Sequence, residues 1–469
     1  MIIKQYYEKC LSQASYYIEH NGAVAIIDPI RDTSQYIHQA YLHKANILYI
    51  FETHFHADFV SGHLELARNT GAKIIFGPGA ETAFESYKGL DGEYFDLNGL
   101  KIKLLHTPGH TLESCCYLLE DESGKDYALF TGDTLFLGDV GRPDLAQNSK
   151  ISLSQQDLAG MLYDSLKTKI GPLSDELIIF PGHGAGSACG KNLSADRMDL
   201  LGNQRKTNYA LNISLSKSGF ISLVCNGLSV PPPYFGMNVN LNKKGYHSLL
   251  NAYDRGENAM SVDEFEASMK DKNVLVLDVR SSEDFAKGHI PGAIHIGLDG
   301  SFAPWVGSLI PVDQPQIILI CETGRERETI TRLARVGYDQ CSGYLDGGMK
   351  KWLIAGKSID VVKNIDAEDF EAYTMQQNIP FIDIRNESER SKDQISGSVN
   401  ILLEKNFEIS GKLDTSKEYL VYCAGGYRAM IFISLLKSKG YHGCINVSGG
   451  LSAIRSVKNK CFLNNKQIS

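Results

Sequence analysis

Blocks of basic residues are missing from this chain, whose formal net charge is −8. A nucleic acid needs a cationic stripe, so no nucleic-acid partner is expected. No run of about 18 apolar residues occurs, which leaves no candidate for a membrane-spanning helix. The first residues, Met1-Ile2-Ile3-Lys4-Gln5-Tyr6-Tyr7, lack an apolar core followed by a small-residue cleavage site. No export signal is expected, and the expected location is cytoplasmic. The ten cysteines are scattered instead of forming a dense framework. That argues against a disulfide scaffold and for reduced thiols, some structural and some reactive.

What is present is an ordinary globular composition, 43% apolar and 22% charged over 469 residues, enough chain for about three domains. Residues 1–235 carry most of the histidines and alternate β-like runs, such as Ala23-Val24-Ala25-Ile26-Ile27 and Ala128-Leu129-Phe130, with helical stretches. Pro231-Pro232-Pro233 breaks the pattern. Residues 236–259, with Gly236, Asn238, Asn240, Asn242 and Gly245, read as a polar connector. Domains are expected at 260–360 and 361–469.

These last two segments read as copies of each other. Val276-Leu277-Asp278-Val279-Arg280 matches Phe381-Ile382-Asp383-Ile384-Arg385. Ile317 to Cys321 matches Tyr419 to Cys423, and Leu345-Asp346-Gly347-Gly348 matches Val447-Ser448-Gly449-Gly450. In both copies the glycine pair begins 26 residues after the cysteine. Each cysteine closes an apolar strand and precedes a glycine-bearing loop and a helical stretch. Strands alternating with helices predict α/β domains with parallel sheets.

The loop Cys423-Ala424-Gly425-Gly426-Tyr427-Arg428 has a chemical logic. Backbone N–H groups in a turn of this kind form an anion nest, to which Gly425 and Gly426 contribute. A helix N-terminus adds partial positive charge, and Arg428 adds a full one. All three favour the thiolate, the nucleophilic form, and would also hold a sulfur oxyanion. A buried structural cysteine is the commoner occurrence for an isolated residue, but the duplicated setting, glycines and arginine point to chemistry. The first copy differs: Cys321-Glu322-Thr323-Gly324-Arg325-Glu326 has arginine fifth and glutamate sixth. Carboxylates near a thiolate oppose its formation, while Arg325 and Arg327 would offset them, so catalysis at Cys321 and a purely structural role both remain open here.

The N-terminal region holds metal-ligand candidates. His54, His56 and Asp58 alternate after the apolar run Ile47 to Phe51. His110 lies in Thr107-Pro108-Gly109-His110-Thr111, Asp133 in Thr131-Gly132-Asp133-Thr134, and His183 in Pro181-Gly182-His183-Gly184. Each sits where an apolar run meets a glycine-containing turn, so loops at one sheet edge can converge on a cation. Imidazole suits zinc and iron, and carboxylate adds a hard, negative ligand. Phe59, which follows Asp58, cannot ligate.

These residues resemble known families. Asp278-Val279-Arg280, Gly288-His289-Ile290-Pro291-Gly292-Ala293 and Leu345-Asp346-Gly347-Gly348-Met349-Lys350-Lys351-Trp352 are similar to the signature of rhodanese domains. Cys423 to Arg428 resembles the rhodanese active loop, implying sulfur transfer through a cysteine persulfide. Residues 1–230 resemble the metallo-β-lactamase superfamily, implying an αββα sandwich. Within it, residues 53–59, 107–111 and 138–145 resemble persulfide dioxygenases. That likeness implies one Fe(II) per chain held by His54, His110 and Asp133, a set that also fits the facial triad of non-heme iron oxygenases. His56, Asp58 and His183 would then orient ligands, or else belong to a second metal. It further implies that Arg142 receives a carboxylate of the thiol carrier. Cys189, in a small-residue loop near Lys191, resembles a thiol near the iron pocket of fusion proteins; activation by Lys191 and simple packing both fit it.

Taken whole, the chain resembles a persulfide dioxygenase fused to two rhodanese domains. The implied activity is oxidation of a low-molecular-weight thiol persulfide by O2 to sulfite and thiol. Cys423 would pass sulfane sulfur to sulfite, giving thiosulfate. Two other readings fit the same residues: a two-zinc thioester hydrolase resembling glyoxalase II, and a non-oxidising sulfur carrier or redox-sensing protein. Association of identical copies is left open by the sequence.

Overall fold

The computed structural model describes residues 1–146, 153–404, 413–414 and 416–457. The part of the expected last domain beyond residue 457 lies outside the described residues. The chain divides into two compact units, Met1–Asn251 with Leu333–Asp339, and Ala252–Arg332 with Gln340–Ser469.

The first unit is built on two six-stranded sheets. One contains β1 (Ile2–Glu8), β2 (Gln13–His20), β3 (Ala23–Ile27), β4 (Asn46–Phe51), β5 (Lys73–Phe76) and β6 (Tyr87–Lys88), paired in that order. The other contains β7 (Tyr94–Leu97), β8 (Leu100–His106), β9 (Cys115–Glu120), β10 (Asp126–Gly132), β11 (Ile178–Pro181) and β12 (Asp199–Leu200). Alternating side chains fill the space between the sheets: Tyr16, Ile18, Ala25, Ile27, Phe51 and Ile75 meet Ile102, Leu104, Tyr117, Leu119 and Phe130. The intervening residues Cys116, Leu118, Leu129 and Ile179 face outward onto Leu162 of helix Gln155–Ser165 and Phe220 and Val224 of helix Lys217–Cys225. Both faces of the second sheet are therefore buried, which is why β9 has an almost unbroken apolar sequence. Each large apolar side chain so buried contributes about 1.5–3 kcal/mol. Helices Ser34–His43 and His63–Thr70 lie against β4, completing the αββα sandwich. Cys115 and Cys116 are buried in β9, as expected of structural thiols.

The expected connector at 236–259 is not a connector. Helix Tyr234–Lys244 spans its first part and buries Tyr234, Phe235, Asn238 and Asn242, and helix Leu249–Gly256 follows. Two of the asparagines that suggested a polar loop, Asn238 and Asn242, lie four residues apart on one buried face, while Asn240 is exposed. Asn242 donates to the carbonyls of His56 and Phe59 at 2.8 and 2.9 Å and accepts from the Ser61 N–H at 2.9 Å. It braces the loop that carries the candidate metal ligands.

The second unit holds the duplication. The first copy has β13 (Ala259–Met260), β14 (Val274–Asp278), β15 (Ile294–His295), β16 (Gln316–Ile320) and β17 (Cys341–Leu345) in the order β13-β17-β16-β14-β15. The second has β18 (Asn364–Ile365), β19 (Phe381–Asp383), β20 (Val399–Asn400), β21 (Tyr419–Tyr422) and β22 (Cys444–Val447) in the order β18-β22-β21-β19-β20. The permutation is the same in both, and all pairings are parallel. The shared 26-residue spacing has a structural cause. Gly347-Gly348 and Gly449-Gly450 all have positive φ. A Cβ on Gly348 would stand 3.2 Å from the Cys321 carbonyl oxygen, and one on Gly450 would overlap that of Cys423. Each pair lets the chain turn directly beneath its cysteine. Among the described residues, no helix is long and apolar enough to cross a membrane.

Candidate functional site

The candidate metal ligands come from turns at the C-terminal ends of strands: His54 after β4, His110 after β8, Asp133 after β10 and His183 after β11. Glycine makes the close approach feasible. A Cβ on Gly141 would overlap the Asp133 carbonyl oxygen and lie 2.9 Å from His110 Nδ1, and one on Gly182 would lie 2.7 Å from Asp133 Oδ1.

His54, His110 and Asp133 are all buried, with ligand atoms within 4.8 Å of one another. The Nε2 atoms of His54 and His110 lie 3.9 and 3.5 Å from Asp133 Oδ2. The Nδ1–H of His110 donates to the Arg142 carbonyl at 2.8 Å, so its Nε2 lone pair faces inward. His54 is oriented through Thr53. The Thr53 N–H and Oγ1–H donate to the two carboxylate oxygens of Asp28, each at 2.8 Å, and Oγ1 lies 3.0 Å from His54 Nδ1. With its own proton committed to Asp28, Oγ1 accepts from Nδ1–H and leaves His54 Nε2 unprotonated. Burial, with His56 adding to it, pushes the His54 pKa well below the usual range, so the ring is neutral. His110 Nε2 and Asp133 Oδ2 are buried without a hydrogen-bond partner. Leaving such groups unsatisfied costs about 1–3 kcal/mol each. A cation bound by two neutral imidazoles and one carboxylate satisfies both, so this donor set fits a metal.

A second group, Asp58, His183 and Cys189, adjoins it. His183 lies between two carboxylates, with Nδ1 2.8 Å from Asp133 Oδ1 and Nε2 2.8 Å from Asp58 Oδ2. Burial favours neutral imidazole, but Asp133 and Asp58 outweigh it and hold His183 as the imidazolium. The same cation pulls Asp133 below its usual range despite burial. Cys189 is 1% exposed, and burial, then Asp58 and Asp133, push its thiol well above the usual range. Activation by Lys191 is not what the structure has: that ammonium donates to the carbonyls of Leu223 and Val224.

His56 stands apart from both groups. The sequence set it beside Asp58 and His183, but its Nε2 lies 3.1 Å from Asp28 and 3.5 Å from Glu52. Burial lowers its pKa, and Asp28 and Glu52 more than reverse that, raising it to about 9. Phe59 is fully buried, with its ring 4.3 Å from that of His56. Arg142 also departs from expectation. Its guanidinium is 2% exposed, pairs with both oxygens of Asp144 at 2.7 Å, and donates to the carbonyls of Ala188 and Ser229. Every guanidinium nitrogen is occupied, so the side chain knits three loops together and its carbonyl orients His110. The residues missed by sequence reasoning are Asp28, Glu52, Thr53 and Asn242. No local signal in the sequence marks Asp28, which directly follows β3 with φ 50°, a conformation that Asp adopts more readily than most residues.

At the end of β21, Cys423 is 1% exposed and its Sγ accepts from the Gly426 N–H at 3.0 Å. Gly426, with φ 96°, starts helix Tyr427–Ser438, whose N-terminus faces the sulfur. A Cβ at Gly425 would meet nothing within 4 Å. Arg428 does not bring an unshared charge: both its terminal nitrogens donate to Glu389, each at 2.7 Å. In the first copy, burial and then Glu326 push the Cys321 thiol up to about 12. Arg325 binds Asp299 and Glu328 and reaches Glu322 at 4.0 Å, and Arg327 binds Glu257; the Cys321 thiol stays raised despite both arginines.

The fold and sites define an αββα sandwich, with a buried donor set that fits a metal, and a duplicated parallel α/β unit. Comparison with known proteins agrees. The model of the metallo-beta-lactamase superfamily matches residues 9–183, and the rhodanese-like domain model matches residues 261–355 and 366–456. The crystal structure of a metallo-beta-lactamase from Staphylococcus aureus subsp. aureus COL is 33% identical, with a TM-score of 0.64, over 74% of this chain and 98% of that one. The hydroxyacylglutathione hydrolase GloC of Haemophilus influenzae is 29% identical over 36% of this chain and 82% of its own length. A probable hydroxyacylglutathione hydrolase of Schizosaccharomyces pombe is 30% identical over 30% of this chain and 49% of its own length. The chain belongs to the metallo-β-lactamase superfamily and carries two rhodanese-like domains.

Proposed function

We propose that the protein oxidises a low-molecular-weight thiol persulfide with O2 at a single iron and transfers sulfane sulfur through Cys423. The reading is carried by one of three groups of buried ligating side chains among the described residues, the set His54, His110 and Asp133. His110 and Asp133 keep buried donor atoms without a partner, whereas Asp58 and His183 are bonded to each other and Phe59, which follows Asp58, cannot ligate. One cation with open positions suits a reaction that brings two substrates together. Bound iron would supply the redox capacity that ground-state O2 requires to react with closed-shell sulfur.

The chain's own residues would do the rest. Thr53 and the Arg142 carbonyl hold the two imidazoles in the ligating tautomer. The His183 imidazolium fixes Asp133 and offers positive charge beside it. The overall oxidation, RSSH + O2 + H2O giving RSH, sulfite and two protons, is balanced. At the second site, the Cys423 thiolate attacks the sulfane sulfur of a persulfide, releasing thiol. Sulfite then attacks the outer sulfur of the enzyme persulfide, forming thiosulfate and returning the thiolate. Having both centres on one chain joins production of the acceptor to its use, and the reduced thiols suit a cytoplasmic setting.

Anaerobic purification with metal analysis, followed by oxygen uptake on several thiol persulfides, tests this. One iron per chain and one O2 consumed per persulfide are expected. Iron-loaded protein that consumes no oxygen would sink the proposal. The hydroxyacylglutathione hydrolase relatives favour a second reading, a two-zinc thioester hydrolase using metal-activated water. Two zinc ions and thioester turnover would select it.

A further inference from the structure

The fifth residues of the two cysteine loops, Arg325 and Tyr427, converge on one segment, residues 297–300 of the first rhodanese-like copy. Tyr427, from the second copy, donates its hydroxyl to the Gly297 carbonyl at 2.7 Å. A Cβ on Gly297 would stand 3.2 Å from the Tyr427 ring, and one on Gly300 would overlap it. Neither glycine has a positive φ, so glycine is not needed there for backbone conformation. Both leave room for the ring. On the other side, Arg325 donates to both oxygens of Asp299 at 2.8 and 2.7 Å, and Arg332 donates to the Leu298 carbonyl at 2.8 Å. The Leu298 N–H is tied to the Val279 carbonyl at 2.9 Å. The segment is thus a socket, held by its own copy and filled by the other.

The helix that starts at Tyr427 makes two further contacts of this kind. The His295 N–H donates to Ser434 Oγ at 2.9 Å, and Lys437 pairs with Asp360 at 2.9 Å. Residues 427, 434 and 437 share one helix face. The N–H that reaches Cys423 Sγ belongs to Gly426, immediately before Tyr427.

We propose that the first rhodanese-like copy is a positioning element of the Cys423 site: its Gly297–Gly300 socket seats Tyr427 and thereby fixes the Gly426 N–H and the helix N-terminus against the sulfur. This accounts for the altered loop of the first copy. The arginine in the fifth position clamps the socket through Asp299, so that copy supports its neighbour's chemistry. Tyr427 and Arg325 are positioning residues, because neither touches the transferred sulfur. The proposal rests on the transferase reading of Cys423.

The test uses the full chain, with thiosulfate as sulfur donor and cyanide as acceptor, and a parallel measurement of Cys423 alkylation by iodoacetamide at pH 7, read by mass spectrometry. Tyr427→Ala should lower kcat about tenfold or more, with KM for thiosulfate changed less than about twofold, because orientation and not donor binding is lost. Alkylation of Cys423 should slow with it, and Tyr427→Phe, which keeps the ring in its socket, should recover most of both. Arg325→Gln, on the surface of the other copy, should cost about threefold in both. Should Tyr427→Ala not fold, Arg325→Gln decides alone. Wild-type rates of both turnover and alkylation in Tyr427→Ala, or in Arg325→Gln when it stands alone, would overturn the proposal. Wild-type protein that alkylates at Cys423 but never carries a persulfide there would instead overturn the transferase reading, and the alkylation arm would still report on the socket.

Discussion

Asp28 and Thr53 are joined twice, N–H to Oδ1 and Oγ1–H to Oδ2, each at 2.8 Å. The pair is buried and forces the tautomer of His54. Replacing Asp28 with Ala leaves the Thr53 hydroxyl free to turn its proton toward His54, and the ring loses its fixed orientation. Metal affinity should fall about 10- to 100-fold. Competition with a chromophoric chelator measures it, and unchanged affinity would remove Asp28 from the account of the site.

Asp144 neutralises Arg142 in a nearly dry setting. Asp144→Ala strands a guanidinium that is 2% exposed, and removing one member of a buried pair costs about 3–5 kcal/mol. Urea denaturation should show that loss. Because the Arg142 carbonyl also orients His110, metal content should drop in the same variant. A loss under about 1 kcal/mol would mean that the loops readjust around the arginine.

The pKa of His56 is about 9 in the folded chain and near 6.5 when unfolded. A folded-state pKa raised in this way stabilises fully below about pH 6.5 and loses its effect as pH rises through 9. The metal-free protein should lose stability across that window, by on the order of 3 kcal/mol. Denaturation midpoints at pH 6.5 and 9, compared between wild type and His56→Gln, isolate the contribution. Parallel profiles for the two proteins would show that His56 is not the group responsible.

Cys321 should be unreactive where Cys423 is reactive. With its thiol at about 12, fewer than about one molecule in a thousand carries the thiolate at pH 8. Iodoacetamide at that pH should leave Cys321 unlabelled, and Glu326→Gln should speed its labelling severalfold. Rapid labelling in the wild type would restore Cys321 as a catalytic candidate.

The ligands His54, His110 and Asp133 were legible because each follows an apolar strand and adjoins a glycine turn, a pattern that survives in one dimension. Their supports were not. Asp28 lies 25 residues before Thr53, and nothing in the sequence announces that their side chains meet. Arg142 was misread because a lone arginine in a glycine-rich turn looks available. Asp144, two residues further on, was the clue that it is not. The helix at Tyr234–Lys244 was hidden by its composition, since buried asparagines that hydrogen-bond carbonyls look the same on paper as solvated ones. The duplication was fully readable, because a repeated spacing needs no tertiary knowledge to detect. What each copy does depends on where the fifth and sixth loop residues point, and Arg325 and Arg428 both point at carboxylates far along the chain.

The glycine pairs beneath Cys321 and Cys423 act as a gauge of chain length. A turn that must pass under a carbonyl oxygen tolerates neither a side chain nor a shifted register, whatever the loop above it does. The pair therefore persists under the Cys321 loop, where arginine stands fifth and glutamate sixth and burial and Glu326 raise the thiol. A search that recognises such domains by this turn detects their architecture and is blind to their reactivity. For proteins of this construction, a count of signatures is a count of folded copies, not of sulfur-transfer sites.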